Sequence, residues 1–248
     1  MQILLSPAKI LNLKTPSEKG TTPIFGKESN ELVRLLREKD TDELKRILDV
    51  SPDKAEWAKI QYANWEEMDR PTFQAIDLFA GVVFKNLEHS TLGTEAGKYL
   101  DRHLFILSAM YGMLRTSDII QPYRLEMNQK LNTPDIDDLY DFWRTKITDS
   151  IGNDKNYNGL IFNLASNEYT SAIDFKKLGA RVISPQFKET KNGKYKTVVV
   201  YTKQARGKFC RFLAENQITK PEYLRAFDDD GYHYNNDLST EDAPIYTR

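Results

Sequence analysis

The stretch RVISPQFKETKNGKYKTVVVYT, Arg181 to Thr202, carries the clearest supersecondary signal in the chain. Its two halves, residues 181–190 and 194–202, are rich in residues that favour strands, and they flank Lys191-Asn192-Gly193. Asn-Gly suits a type I′ turn, in which both central residues take positive φ, so a β-hairpin is predicted. Residues 203–216 follow at once with Ala205, Phe209, Phe212 and Leu213 on one arc, which predicts a helix.

Outward from this hairpin, strands and helices mix without a regular βαβ rhythm. Residues 2–5 form a short apolar run ended by Ser6-Pro7, as a buried strand would. Residues 28–65 read as helical, with Leu32, Leu35 and Leu36 on one face, Leu44, Ile47 and Leu48 on another, and Ser51-Pro52 as a helix start. Residues 72–87 are apolar at helical spacing but broken by Gly81, residues 93–100 look helical, and residues 103–110 suit a strand or a buried helix. Residues 135–151 predict a helix with an acidic first turn and with Leu139, Phe142, Trp143 and Ile147 on one side. A buried strand is expected at 160–164, a helix opening at Lys220-Pro221-Glu222, and a short strand at 232–234. No Pro/Gly/Ser-rich linker divides these elements. The expectation is one mixed α/β (α+β) domain over residues 1–248, a mixed sheet flanked by helices.

Of the 248 residues 40% are hydrophobic and 11% aromatic, enough for a sizeable core. The formal net charge of −1 gives no overall pull toward a polyanion. The single cysteine, Cys210, excludes an internal disulfide and points to a reducing compartment; in mid-helix, with no histidine or second cysteine near, it reads as a packed small hydrophobe. The opening MQILLSPAKIL has no basic leader or small-residue cleavage site, and no run approaches ~18 apolar residues. A cytoplasmic monomer is expected, with no membrane partner. Phosphate-loop, dinucleotide and nucleophile-elbow motifs are absent. One cysteine with only His89, His103 and His233 argues against a Cys/His zinc site, and no metal or other cofactor is expected. Carboxylate spacing leaves an oxygen-held metal open.

Four stretches place unusual polar residues beside probable strands. Ser6-Pro7-Ala8-Lys9 closes the first strand, where Lys9 is either solvated or a point charge for an anion. In NLASNEY, residues 163–169, Ser166 or Asn167 would cap a helix whose first turn holds Glu168; such a strand-to-helix junction also receives anions in α/β proteins. Between residues 176 and 211 eleven Lys and Arg face only Asp174 and Glu189, leaving Lys203, Arg206, Lys208 and Arg211 outside the apolar arc of the last helix. That excess is either a solvated surface or a set of phosphate contacts, part-neutralised by Asp228–Asp230 and Glu241-Asp242. The fourth stretch is RTSDIIQPYRLEM, residues 115–127, preceded by SAMYGML. Gly112 suits a tight turn between two helices, of the kind that offers backbone N–H groups to phosphate. Arg115 with Asp118, and Arg124 with Glu126, are either a buried brace or the wall of a site.

Together these stretches resemble the peroxide stress resistance protein YaaA family. The matching blocks are LLSPAK (4–9), YGMLRTSDIIQPYRLEM (111–127), LYDFW (139–143), NLASNEY (163–169), KQARGKFCRF (203–212) and GYHY (231–234), ordered over nearly the whole chain. The resemblance implies a cytosolic protein that helps cells survive hydroperoxide by limiting free iron and protecting DNA. It also implies one α/β domain with a helix-hairpin-helix-like element and a positively charged DNA-binding cleft. Two departures stand out: Gly81-Val82-Val83-Phe84 where the family often has G-D-V-Y, and Thr116-Ser117-Asp118 where P-L-D is usual.

Three functions follow as alternatives. In the first, double-stranded or structured DNA is held by the hairpin and by Lys203, Arg206, Lys208 and Arg211 of the helix after it, with Gly112 and Arg115 contributing. In the second, an enzyme acts on a small anionic or nucleotide-like substrate where Lys9, Arg124, Ser166, Glu168 and Lys203 converge, with Glu168, Glu126 or Lys9 as the catalytic group. The third, direct iron sequestration, is disfavoured by the few histidines.

Overall fold

The computed structural model describes residues 1–65, 70–131, 133, 136 and 138–248. Strand β1 (Gln2–Leu5) leads through a long loop to helices α1 (Gly26–Arg37), α2 (Thr41–Leu48) and α3 (Pro52–Ala63). Then come β2 (Phe73–Gln74), α4 (Ala75–Leu78), α5 (Val82–Leu87), α6 (Thr94–His103), β3 (Leu104–Ser108), β4 (Gly112–Arg115) and β5 (Ile119–Ile120). The second half holds α7 (Leu139–Gly152), β6 (Leu160–Asn163), α8 (Asn167–Thr170), α9 (Phe175–Leu178), β7 (Arg181–Ile183), β8 (Gln186–Lys191), β9 (Lys194–Lys196) and α10 (Val199–Glu215). A 3-10 turn at Pro221–Ala226 and strands β10 (His233–Tyr234) and β11 (Ile245–Thr247) complete it.

The main sheet runs β4-β3-β1-β6-β7, parallel except for the edge strand β4. Alternation along each strand feeds two cores. Leu4 and Ile161 point to one, packed by α1, α2, α3 and α7; Ile3, Leu5 and Phe162 point to the other, packed by α6 and α10. A smaller sheet, β10-β11-β8-β9, sits on the second core through Phe187 and Tyr246. The expected mixed sheet flanked by helices is what forms. Among the described residues no helix is long and apolar enough to cross a membrane.

The predicted hairpin turn is present, with Asn192 at φ 53° and Gly193 at φ 70°, but both arms are shorter than the sequence suggested. The first arm breaks at Ser184-Pro185: β7 joins the main sheet and β8 the smaller one, since proline cannot donate to a ladder. The second arm ends at Lys196, and Val199–Thr202 opens α10 with Val199 69% and Val200 47% exposed. Strand propensity there yields to the docking of Ala205, Phe209 and Leu213 into the second core. In α10, a Cβ on Gly207 would meet the Val83 carbonyl at 2.2 Å, so this glycine lets α5 lie against the helix.

The turn at Gly112 joins strands and not helices. Residues 104–108 are β3, Ser108 pairs with Gly112, and the two strands form an antiparallel hairpin. Gly112 has φ +67°, and a Cβ there would meet the Trp143 ring at 2.6 Å. Two further expectations shift. The helix predicted from residue 135 is described from Leu139, capped by Asp138 on the Tyr140 N–H at 2.6 Å; residues 134, 135 and 137 lie outside the described set. The segment after Lys220 is a 3-10 turn, with no α-helix formed.

Candidate functional site

Within the main sheet the parallel strands run β3-β1-β6-β7. The chain passes from β1 to β3 on one side and continues to β6 and β7 on the other, so the loops leaving β1 and β6 part from each other. Open α/β sheets receive ligands at such a switch point, outside the carboxyl ends of the strands. Here two serines pin the parting loops: Ser6 Oγ accepts the Ser166 N–H at 2.9 Å, and the two hydroxyls stand 3.2 Å apart.

A cavity of about 230 Å³ opens beside them. The loop after β1 supplies Lys9, the short helix α8 supplies Glu168, α10 supplies Lys203 and Arg206, and the segment after β5 supplies Glu126. Val82, Val83 and Phe84 from α5, with Leu164, form its apolar wall. Lys9 and Glu126 also line a wider groove of about 570 Å³ that carries Lys39, Arg46 and Lys130.

The polar groups are not mutually satisfied. Burial pushes the Glu168 carboxyl above its ordinary range, and the Glu126 charge adds to this; Lys9, the Asn128 N–H and Lys203 pull it back. Glu168 Oε1 is buried and has no hydrogen-bond partner among the described residues, and the same holds for Arg206 Nε. Burial also lowers the Arg206 guanidinium pKa from its ordinary value. Glu126 is fixed differently: its Oε2 accepts the Tyr169 hydroxyl at 2.8 Å. The Tyr169 phenol is held well above its usual pKa, chiefly by burial, so it donates. Unsatisfied buried polar atoms are rare in folded proteins, and here they meet in one concavity.

Arg124 stands behind this wall. Its Nη1 donates to the Lys9 carbonyl at 3.1 Å, its own carbonyl accepts the Tyr62 hydroxyl, and its Nε is buried without a partner. It therefore positions the Lys9 loop and does not line the cavity. Thus Lys9, Ser166, Glu168, Glu126, Lys203 and Arg206 come together, with Arg124 in support.

Four other candidates lie elsewhere. Arg115 faces Asp118 at 3.9 Å and lines a separate concavity with Arg102 and Lys155. Gly112 is buried against Trp143 and offers no approach to a phosphate. Lys208 pairs with Asp229 at 2.8 Å, and Arg211 with Glu215 at 2.8 Å and with the Leu87 and Glu88 carbonyls. The expected neutralising role of the acidic runs is visible also in Arg181, paired with Asp242 at 2.7 Å and Glu241 at 3.0 Å. Cys210 is fully buried and its thiol is pushed up to about 12 by burial, as a packed side chain should be.

Sequence reasoning missed the α5 wall and the groove residues Arg46 and Lys130. The one available signal was the departure at Val82 and Phe84, both of which line the cavity. Among the described residues no group of three or more His, Cys, Asp or Glu is placed to hold a metal ion. A family model described as "Peroxide stress protein YaaA" matches residues 1–238 of the chain.

Proposed function

The chain belongs to the peroxide stress protein YaaA family, and from that premise we propose that it serves the peroxide response by binding an anionic ligand at the β1–β6 switch point. The observation that carries this reading is the convergence of Lys9, Lys203 and Arg206 on one cavity, with no carboxylate among the described residues in ion-pair range of any of them. The two carboxylates that share the cavity, Glu126 and Glu168, stand beyond ion-pair contact, so these cations keep donors open to an arriving phosphate or carboxylate. Glu168, with its raised pKa, is the group suited to proton transfer if the ligand is also a substrate. The setting is a reducing cytosol.

A second reading, double-stranded DNA bound across the adjoining groove and shielded from iron-driven damage, is favoured by a different observation. Lys191, Lys194 and Lys196 are exposed on the hairpin that leads into α10, and none has an ion-pair partner among the described residues. Such contacts would be to phosphate and would weaken steeply with salt.

Survival of hydroperoxide separates function from fold. Cells whose only copy carries Lys9→Ala with Lys203→Ala should be as sensitive as cells lacking the protein, at normal protein level. Full protection by that variant would refute the anion site. For the DNA reading, filter binding across a salt series should lose slope in Lys191→Ala/Lys194→Ala/Lys196→Ala; affinity that ignores salt removes it.

A further inference from the structure

The cavity's lining is mixed, and an anion accounts for only part of it. Its cationic side offers Lys9, Lys203 and Arg206, but Val82, Val83, Phe84 and Leu164 form an apolar wall that a bare phosphate would leave unused. Glu126 and Glu168 also face the space, and two carboxylates repel an anion seated deep among them. The buried Oε1 of Glu168 lacks a partner, so what belongs beside it is a hydrogen-bond donor on a largely apolar body.

Lys9 stands at the one place where the charge requirement and this donor requirement meet. It lines both the cavity and the wider groove, where Arg46 and Lys130 add positive charge that Glu43 and Asp49 offset in part. At about 230 Å³ the inner space is below the ~300–1,000 Å³ of ordinary small-molecule sites, and it has room for one flat ring system and no duplex.

We propose, resting on the anion reading above, that the cavity and groove together hold a single nucleotide unit. Its base lies against the α5 wall with an amino group toward Glu168 Oε1, and its phosphate lies at Lys9, pointing into the groove. A carboxylate accepts from the exocyclic amino groups of cytosine, adenine or guanine, whereas thymine and uracil offer only a ring N3–H set between two carbonyl oxygens that repel it. Apolar contact with the flat base supplies affinity that inorganic phosphate cannot have. The same chemistry serves a free nucleotide or one unpaired nucleotide within a DNA strand whose backbone follows the groove.

Calorimetric titration of the full chain tests this with inorganic phosphate, cytidine and uridine 5′-monophosphates, and a short DNA duplex with or without one bulged cytosine. Cytidine monophosphate should bind on the order of tenfold more tightly than phosphate and than uridine monophosphate. Val82→Trp, which fills the apolar side, should remove the gain over phosphate. Glu168→Gln should shrink the preference for cytidine over uridine. A gain seen with the free nucleotide identifies a metabolite; a gain seen only with the bulged duplex identifies a strand. Nucleotides, free and bulged, that bind no tighter than phosphate or paired duplex would overturn the proposal and leave the anion site standing. Phosphate that fails to bind at all would remove both.

Discussion

The guanidinium of Arg124 donates from Nη1 to the backbone carbonyl of Lys9 at 3.1 Å, 115 residues away in sequence. The contact fixes a loop and leaves the lysine side chain free, and Lys9 itself is exposed at the cavity mouth. Replacing Arg124 with Ala should weaken anion binding severalfold and lower stability by about 1 kcal/mol, the worth of a part-exposed charged hydrogen bond. Titration and denaturant melts on the same variant check both. Unchanged affinity would show that the loop holds Lys9 without help.

Six residues before Arg124, Asp118 does purely structural work. It accepts the Arg115 N–H at 2.8 Å and the Thr21 hydroxyl at 2.6 Å, and it is fully buried. Asp118→Ala strands both donors and should cost about 2–3 kcal/mol of stability, with ligand affinity per folded molecule unchanged. Urea denaturation gives the first number and titration of the folded fraction the second.

At Gly112 the left-handed φ and the Trp143 ring leave no room for a side chain. Gly112→Ala should destabilise by about 1–3 kcal/mol through backbone strain and displacement of the indole. The near-ultraviolet circular dichroism of Trp143, whose Nε1 donates to the Ala109 carbonyl at 2.8 Å, should change with it. A phosphate-contacting glycine would behave otherwise, losing nucleic-acid affinity and leaving stability alone.

Glu168 gives a pH dependence with a definite sign. Its carboxyl is raised in the folded protein, first by burial and then by Glu126, so the folded state holds its proton more tightly than the unfolded chain. The stabilisation from that proton is complete below the unfolded value near 4.5 and is lost as pH rises through the folded value. Glu168→Gln removes the penalty of the buried charge. The variant should melt higher than the wild type at pH 7, with the difference shrinking as pH falls toward 4. A lower melting temperature at pH 7 would mean that Lys9 and Lys203 outweigh burial.

Much of this architecture can be read from local pattern. The β1 and β6 strands, the helices over residues 26–63 and the Asn192-Gly193 turn follow from periodicity and turn chemistry. Local pattern fails where partners are distant. Val198, Val199 and Val200 read as strand, but α10 is set by its docking on α5 and the second core. Gly112 reads as an inter-helix turn because nothing nearby in sequence announces the β3–β4 pairing. The site was half legible. Ser6–Lys9 and Asn163–Tyr169 mark loops after strands, and their chemistry is odd enough to notice. The four cations of α10 could have been divided by helical spacing: at ~100° per residue, Lys203 and Arg206 face about 140° away from Lys208 and Arg211. The α5 wall left only the departure at Val82 and Phe84 as a trace, since apolar residues beside a glycine carry no sign of what they face.

That division of α10 is the central claim, and one measurement addresses it most directly. Inorganic phosphate is titrated calorimetrically at low ionic strength into the wild type, Lys203→Ala and Lys208→Ala. Lys203 lines the cavity without a paired carboxylate among the described residues, whereas Lys208 is committed to Asp229. The account predicts saturable binding to the wild type, a loss on the order of tenfold in Lys203→Ala, and no change in Lys208→Ala. Equal losses in both variants, or none in Lys203→Ala, would contradict it.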